Sequence, residues 1–112
     1  MVFVTGPLYS GTKAFVKEWL QWDEEAMREN AVWDVQDLAA DCDDLITLAE
    51  TLSKKQVVIA TEIGGGIVPA DAKDRASREA AGRLACLLAK EADTVIRVFC
   101  GIPTVLKGEE RL

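Results

Sequence analysis

The stretch that decides the fold is residues 57–69, VVIATEIGGGIVP. Four residues of apolar, mostly β-branched character run into Thr61 and Glu62, and Gly occupies positions 64, 65 and 66 before Ile67, Val68 and Pro69. A run this short, rich in Val and Ile and bounded by turn residues, reads as a strand buried on both faces of a parallel sheet. Glycine permits positive φ and lets backbone approach a ligand closely. Ligands of open α/β sheets sit beyond the carboxyl ends of strands, so this strand delivers polar groups to a site. The plainer reading of the glycines alone is a tight turn.

Working outward, residues 2–4 (VFV) form a first short strand that leads straight into Thr5 and Gly6. Phe15, Trp19 and Trp22 then recur at helical spacing, with charged residues between them, and predict an amphipathic helix over about residues 14–28. Aromatics at that spacing belong to the core. Residues 31–35 are either a short edge strand or the lead-in to the next helix. Asp41 and Asp43 offer N-caps for a helix marked by Leu45, Ile46, Leu48, Ala49 and Leu52. After Pro69, Asp71 caps a long helix to about Ala92 whose small face is Ala76, Ala80, Ala81, Leu84, Ala85, Leu88 and Ala92. Residues 94–100 form another buried strand, ended by Gly101 and Pro103. Strands alternating with helices predict right-handed crossovers and a three-layer α/β fold with a small, mostly parallel sheet of three or four strands.

At 112 residues the chain is expected to be a single domain, 1–112. Its net charge of −6 argues against a nucleic-acid binder, though a nest of backbone amides can bind a small phosphorylated molecule on an acidic protein. No apolar stretch approaches a membrane span and no signal peptide is legible, so a cytoplasmic location is expected. Cys42, Cys86 and Cys100 have no metal-site or redox spacing and read as buried free thiols. Histidine is absent. That removes Ser/His and Cys/His pairs, imidazole ligands and any phospho- or nucleotidyl-histidine intermediate, and leaves carboxylates, Lys, Arg, hydroxyls and backbone amides.

Between the first strand and first helix lies Gly6-Pro7-Leu8-Tyr9-Ser10-Gly11-Thr12-Lys13. A strand, a glycine loop and a helix is the setting of the phosphate-binding pattern GxxxxGK[ST], in which amides cradle phosphates, Lys reaches the terminal ones and a hydroxyl holds Mg²⁺. Both glycines keep their spacing, but Thr12 and Lys13 stand in swapped order. Adjacent positions on a helix point about 100° apart, so Lys13 does not simply replace the missing lysine. Phosphate binding through the amides and the helix start is retained. Without a ligand the same residues make a plain strand-to-helix turn. Glu62 is the carboxylate best placed for Mg²⁺ or its water shell; the alternative is a loop glutamate making a cap or an ion pair.

Three segments, EIGGGIVP, SREAAGRLACLLAKEAD and FCGIPTVLKG, with VTGPLYSGTK at the start, resemble the adenosylcobinamide kinase/adenosylcobinamide-phosphate guanylyltransferase family of cobalamin biosynthesis. The resemblance implies a P-loop NTPase-like fold. It implies ATP or GTP with Mg²⁺ as cofactor, Glu62 and Lys13 as catalytic residues, and Thr12 with Glu62 at the metal. Nucleotide binding would fall to Gly6, Ser10, Gly11, Thr12, Lys13, Gly64, Gly66 and Arg78. Gly82, Asp93, Gly101, Pro103 and Lys107 match further motif positions. Departures are Thr12 at the loop lysine, Thr61 at an asparagine, Glu79 at an aspartate, and Ala85-Cys86 at Asn-Gln. Members of the family are longer, and the segment before residue 57, where they carry a guanylylated histidine, is shortened here.

Two functions follow. The first is a purine-nucleotide-binding protein that phosphorylates adenosylcobinamide without the histidine-dependent guanylyltransferase step. The second is a catalytically inactive homologue serving as a nucleotide- or corrinoid-binding or protein-interaction module. The resemblance also implies a homo-oligomer assembled through helices, whereas the three tryptophans serve equally to complete a monomer's core.

Overall fold

A computed structural model of the chain describes residues 1–63 and 71–109. The order of elements is β1 (Val2–Gly6), α1 (Thr12–Leu20), α2 (Glu24–Asn30), β2 (Ala31–Val32), a 3₁₀ turn (Val35–Leu38), α3 (Leu45–Leu52), β3 (Val57–Thr61), α4 (Ala72–Glu91), β4 (Thr94–Phe99) and β5 (Ile102–Lys107). One sheet runs β2-β3-β1-β4-β5. Its first four strands are parallel, and β5 pairs antiparallel with β4.

The five strands exceed the three or four expected. Residues 31–35 resolve into a two-residue edge strand, β2, followed by the 3₁₀ turn. The unexpected strand is β5. Cys100 and Gly101, at φ 52° and 75°, turn the chain back in two residues, so that Phe99 faces Ile102 across the hairpin. Positive φ at both central positions is the twist that suits a hairpin. Pro103 lies in an edge strand, where a missing N–H is tolerated.

Side chains alternate between the two sheet faces and divide the core in two. Val4, Val57, Ile59, Ile96 and Val98 pack with Val16 of α1 and Met27 of α2. Phe3, Val58, Ala60 and Val95 pack with Ala49 and Leu52 of α3 and Ala81, Leu84 and Leu88 of α4. The result is the expected helix, sheet, helix layering. Each fully buried large side chain, such as Phe3, Ile59, Leu84 or Leu88, contributes about 1.5–3 kcal/mol from burial.

Local chemistry sets where the helices begin and end. The single helix predicted over about residues 14–28 is two. Gln21 adopts φ 56°, its N–H and that of Trp22 turn back to Glu18 and Lys17 carbonyls, and Asp23 then caps α2 by accepting from the Ala26 amide at 2.8 Å. Helix α3 is capped by Asp44 and not by Asp41 or Asp43. Asp71 caps α4 as expected, accepting from the Lys73 amide. Of the predicted small face of α4, Ala76 is exposed. The thiols also differ from expectation: Cys86 and Cys100 are exposed and Cys42 is half-buried, all three free.

Candidate functional site

Helices α1 and α2, which follow β1, lie on one face of the sheet, and α4, which follows β3, lies on the other. The neighbouring strands β1 and β3 therefore send their chains to opposite sides, which opens a crevice beyond their carboxyl ends. Both predicted site segments leave the sheet there. Gly6 is the last residue of β1 and pairs with Thr61, the last of β3. The Glu62 amide donates to the Gly6 carbonyl at 2.8 Å, which holds the two exits side by side.

The loop after β1 is tightly seated. A Cβ on Gly6 would collide with the Val98 carbonyl oxygen and stand 2.5 Å from Ser10 Oγ. The Ser10 amide donates to the Pro7 carbonyl, and the Ser10 carbonyl accepts from the Gly101 amide at 2.8 Å, tying the loop to the β4–β5 turn. Ser10 is 6% exposed, yet its Oγ has no hydrogen-bond partner. An unsatisfied buried hydroxyl carries a desolvation penalty, so it points to a missing polar partner. Beside it, Gly11 at φ 88° begins α1 with no side-chain cap. The first amides of a helix have no intrahelical acceptor and carry the positive end of its dipole. Ser10, Gly11 and the start of α1 together fit a phosphate group.

Lys13 Nζ lies 4.3 Å from the ring centroid of Trp33, which follows β2 at the sheet edge. Thr12 is half-buried in the first turn of α1. Glu62 makes the ion pair that was its alternative reading: Arg97 Nε donates to Oε1 at 2.7 Å and Nη2 to Oε2 at 3.0 Å. The carboxylate raises the Arg97 pKa, first through the hydrogen bonds and then through its charge. Arg97 also lies 5.6 Å from the Phe99 ring centroid. Sequence reasoning passed over Arg97, although a charged residue inside the apolar run TVIRVF was a visible signal.

Under α4, a cleft of about 120 Å³ adjoins this pair, walled by Thr5, Gln36, Thr61, Glu62, Gly82 and Ala85. Gln36 was also missed; its Oε1 accepts from the Thr61 amide at 2.9 Å and fixes the end of β3. Arg78 is half-buried on α4, one turn before Ala81 and Gly82 and on the same stripe. A larger hollow of about 960 Å³ lies between α3 and α4, around Ile46 and Cys86. Gly64, Gly66 and Pro69 lie outside the described residues.

Among the described residues no cluster of three or more acidic or cysteine side chains is arranged to hold a metal. An ion such as Mg²⁺ keeps several waters and arrives with phosphates, so it asks for few protein ligands; both Glu62 carboxylate oxygens are engaged by Arg97. No helix of the described residues is long and apolar enough to cross a membrane.

Comparison with known proteins identifies the family of the chain. Residues 12–106 match the family model described as cobinamide kinase / cobinamide phosphate guanyltransferase. The bifunctional adenosylcobalamin biosynthesis protein CobU of Escherichia coli (strain K12) is 33% identical over 87 residues, 78% of this chain and 44% of that protein. Its namesake in Salmonella typhimurium is 36% identical over the same shares. The chain thus spans less than half the length of these curated relatives.

Proposed function

The chain belongs to the cobinamide kinase / cobinamide phosphate guanyltransferase family, and from that premise we propose that it binds ATP or GTP at residues 6–13 and phosphorylates adenosylcobinamide. The observation that carries the reading is the buried, unpartnered Ser10 hydroxyl beside the uncapped start of α1. An anion placed there meets one hydroxyl and the free amides at the positive end of a helix dipole. Gly11, with its positive φ, turns those amides toward the ligand.

Phosphoryl transfer asks little covalent chemistry of a protein; positioning and charge neutralisation do most of the work. In this reading the loop holds the phosphates beyond the end of β1, and the acceptor hydroxyl approaches from the crevice beyond the ends of β1 and β3. Mg²⁺ bound with the nucleotide would neutralise phosphate charge, with Thr12 and Glu62 the side chains to hold it. Gly64, Gly66 and Arg78 complete the proposed nucleotide-binding set. A corrinoid acceptor, a homo-oligomer and a cytoplasmic location are parts of the same proposal.

The guanylyltransferase step is excluded from it, because the 112 residues hold no histidine to carry a nucleotidyl group. Incubation with adenosylcobinamide, Mg²⁺ and ATP or GTP should yield the phosphorylated corrinoid and no GMP adduct on the protein. Absence of product, with a bifunctional relative active in parallel, would overturn the kinase reading. Intact nucleotide binding without turnover would make the chain the inactive homologue.

A further inference from the structure

The cation that meets a phosphate at this loop need not come from the loop. Lys13 rests on Trp33, and Thr12 carries no charge. Arg97 is placed differently. It lies on β4 opposite Thr5, the residue just before the loop's first glycine, and neighbouring strands are only about 4.8 Å apart. From β4, on one side of β1, its side chain reaches Glu62 after β3, on the other side. The ion pair therefore spans β1 at Thr5, one residue before the phosphate loop begins at Gly6. The Arg97 side chain is 40% exposed, and Phe99 supports its guanidinium independently of the carboxylate.

A planar fork that takes two carboxylate oxygens takes two phosphate oxygens equally well. We propose that Arg97 is the residue that binds the terminal phosphates, with the Glu62 carboxylate filling its fork until a ligand anion displaces it. Arg97 acts here by direct contact with ligand, and the displacement frees Glu62. The assignment rests on the reading of residues 6–13 as a nucleotide loop, and goes beyond it in naming a cation from β4.

Calorimetric titration of the purified protein with GTP, ATP and inorganic tripolyphosphate, each with and without Mg²⁺, tests it. Arg97→Met should weaken triphosphate binding by about ten-fold or more, as loss of a charge-assisted contact does. Arg97→Lys, which keeps the charge but not the fork, should recover only part of it and serves if the Met variant fails to fold. Glu62→Gln should tighten magnesium-free binding several-fold, because the competing carboxylate is gone and Phe99 still supports the arginine. A glutamate acting only as a metal ligand would leave magnesium-free binding unchanged.

GTP binding that is equally tight in wild type and both Arg97 variants overturns the assignment and leaves the nucleotide reading standing. Arg97-dependent binding of tripolyphosphate without binding of either nucleotide does the reverse. No binding of any of the three by the wild-type protein overturns both.

Discussion

The ammonium of Lys13 lies 4.3 Å from the ring centroid of Trp33, so the loop's one lysine makes a cation–π contact with the residue that follows edge strand β2. The swapped order of Thr12 and Lys13 therefore has a structural consequence: one step along a helix rotates the side chain by about 100° and puts it over an indole. Reversing the swap with Thr12→Lys and Lys13→Ser should bring an ammonium to the phosphates and raise GTP or ATP affinity by about ten-fold. Lys13→Met alone should change that affinity less than two-fold. Equal affinities of the double variant and wild type by calorimetry would show that the loop holds no phosphate.

Ser10 should give opposite signs for stability and for binding. Its Oγ is buried without a partner, so Ser10→Ala removes an unsatisfied polar atom and leaves the methyl-sized space filled. Urea denaturation of the ligand-free variant should show stability unchanged or higher by up to about 1 kcal/mol. Triphosphate affinity should fall by several-fold. A variant that loses stability while keeping affinity would place the hydroxyl in the framework instead of the ligand site.

Gly6 is fixed by close approach. Gly6→Ala drives a Cβ into the Val98 carbonyl and to 2.5 Å from Ser10 Oγ, between two strands that cannot separate without breaking their ladder. A loss of about 2–4 kcal/mol is expected, within the range for overpacking a buried site. Gly82→Ala is the matched control, because nothing lies within 4 Å of its added Cβ and alanine favours a helix. Urea midpoints of the two variants should move in opposite directions.

The central strands were legible because β1, β3 and β4 are buried on both faces and show it as continuous apolar runs. The crevice was legible for the same reason, since Gly6 and Glu62 directly follow such runs. What escaped depended on partners far away in sequence. Strand β5 alternates Ile102, Thr104 and Leu106 with Pro103 and Val105, but Gly101 and Pro103 read as breakers until the hairpin makes the first a turn and the second an edge residue. The break between α1 and α2 hid inside an unbroken aromatic spacing, although Asp23-Glu24-Glu25 is itself an N-terminal signal. Arg97 stands out in the sequence as a charge inside an apolar run, but its pairing does not, because Glu62 is 35 positions away.

Asp44 shows how a choice among adjacent acids is made by backbone geometry and then becomes measurable by pH. Its Oδ1 accepts from the Thr47 amide at 3.1 Å and its Oδ2 from the Thr47 hydroxyl at 2.7 Å. The hydroxyl contact first and the amide contact second hold its pKa below the usual carboxylate value. A depressed folded-state pKa stabilises the fold above the unfolded-state pKa, and that contribution is lost as pH falls through the folded value. Asp44→Ala should melt a few degrees below wild type between about pH 5 and 7, with the gap closing below about pH 4. Asp44→Asn, able to cap without titrating, should keep its melting temperature closer to wild type at neutral pH and narrow the difference on acidification. If Asp41→Ala or Asp43→Ala lowers the melting temperature as much as Asp44→Ala does, the start of α3 is set by the acidic cluster as a whole and not by this one cap.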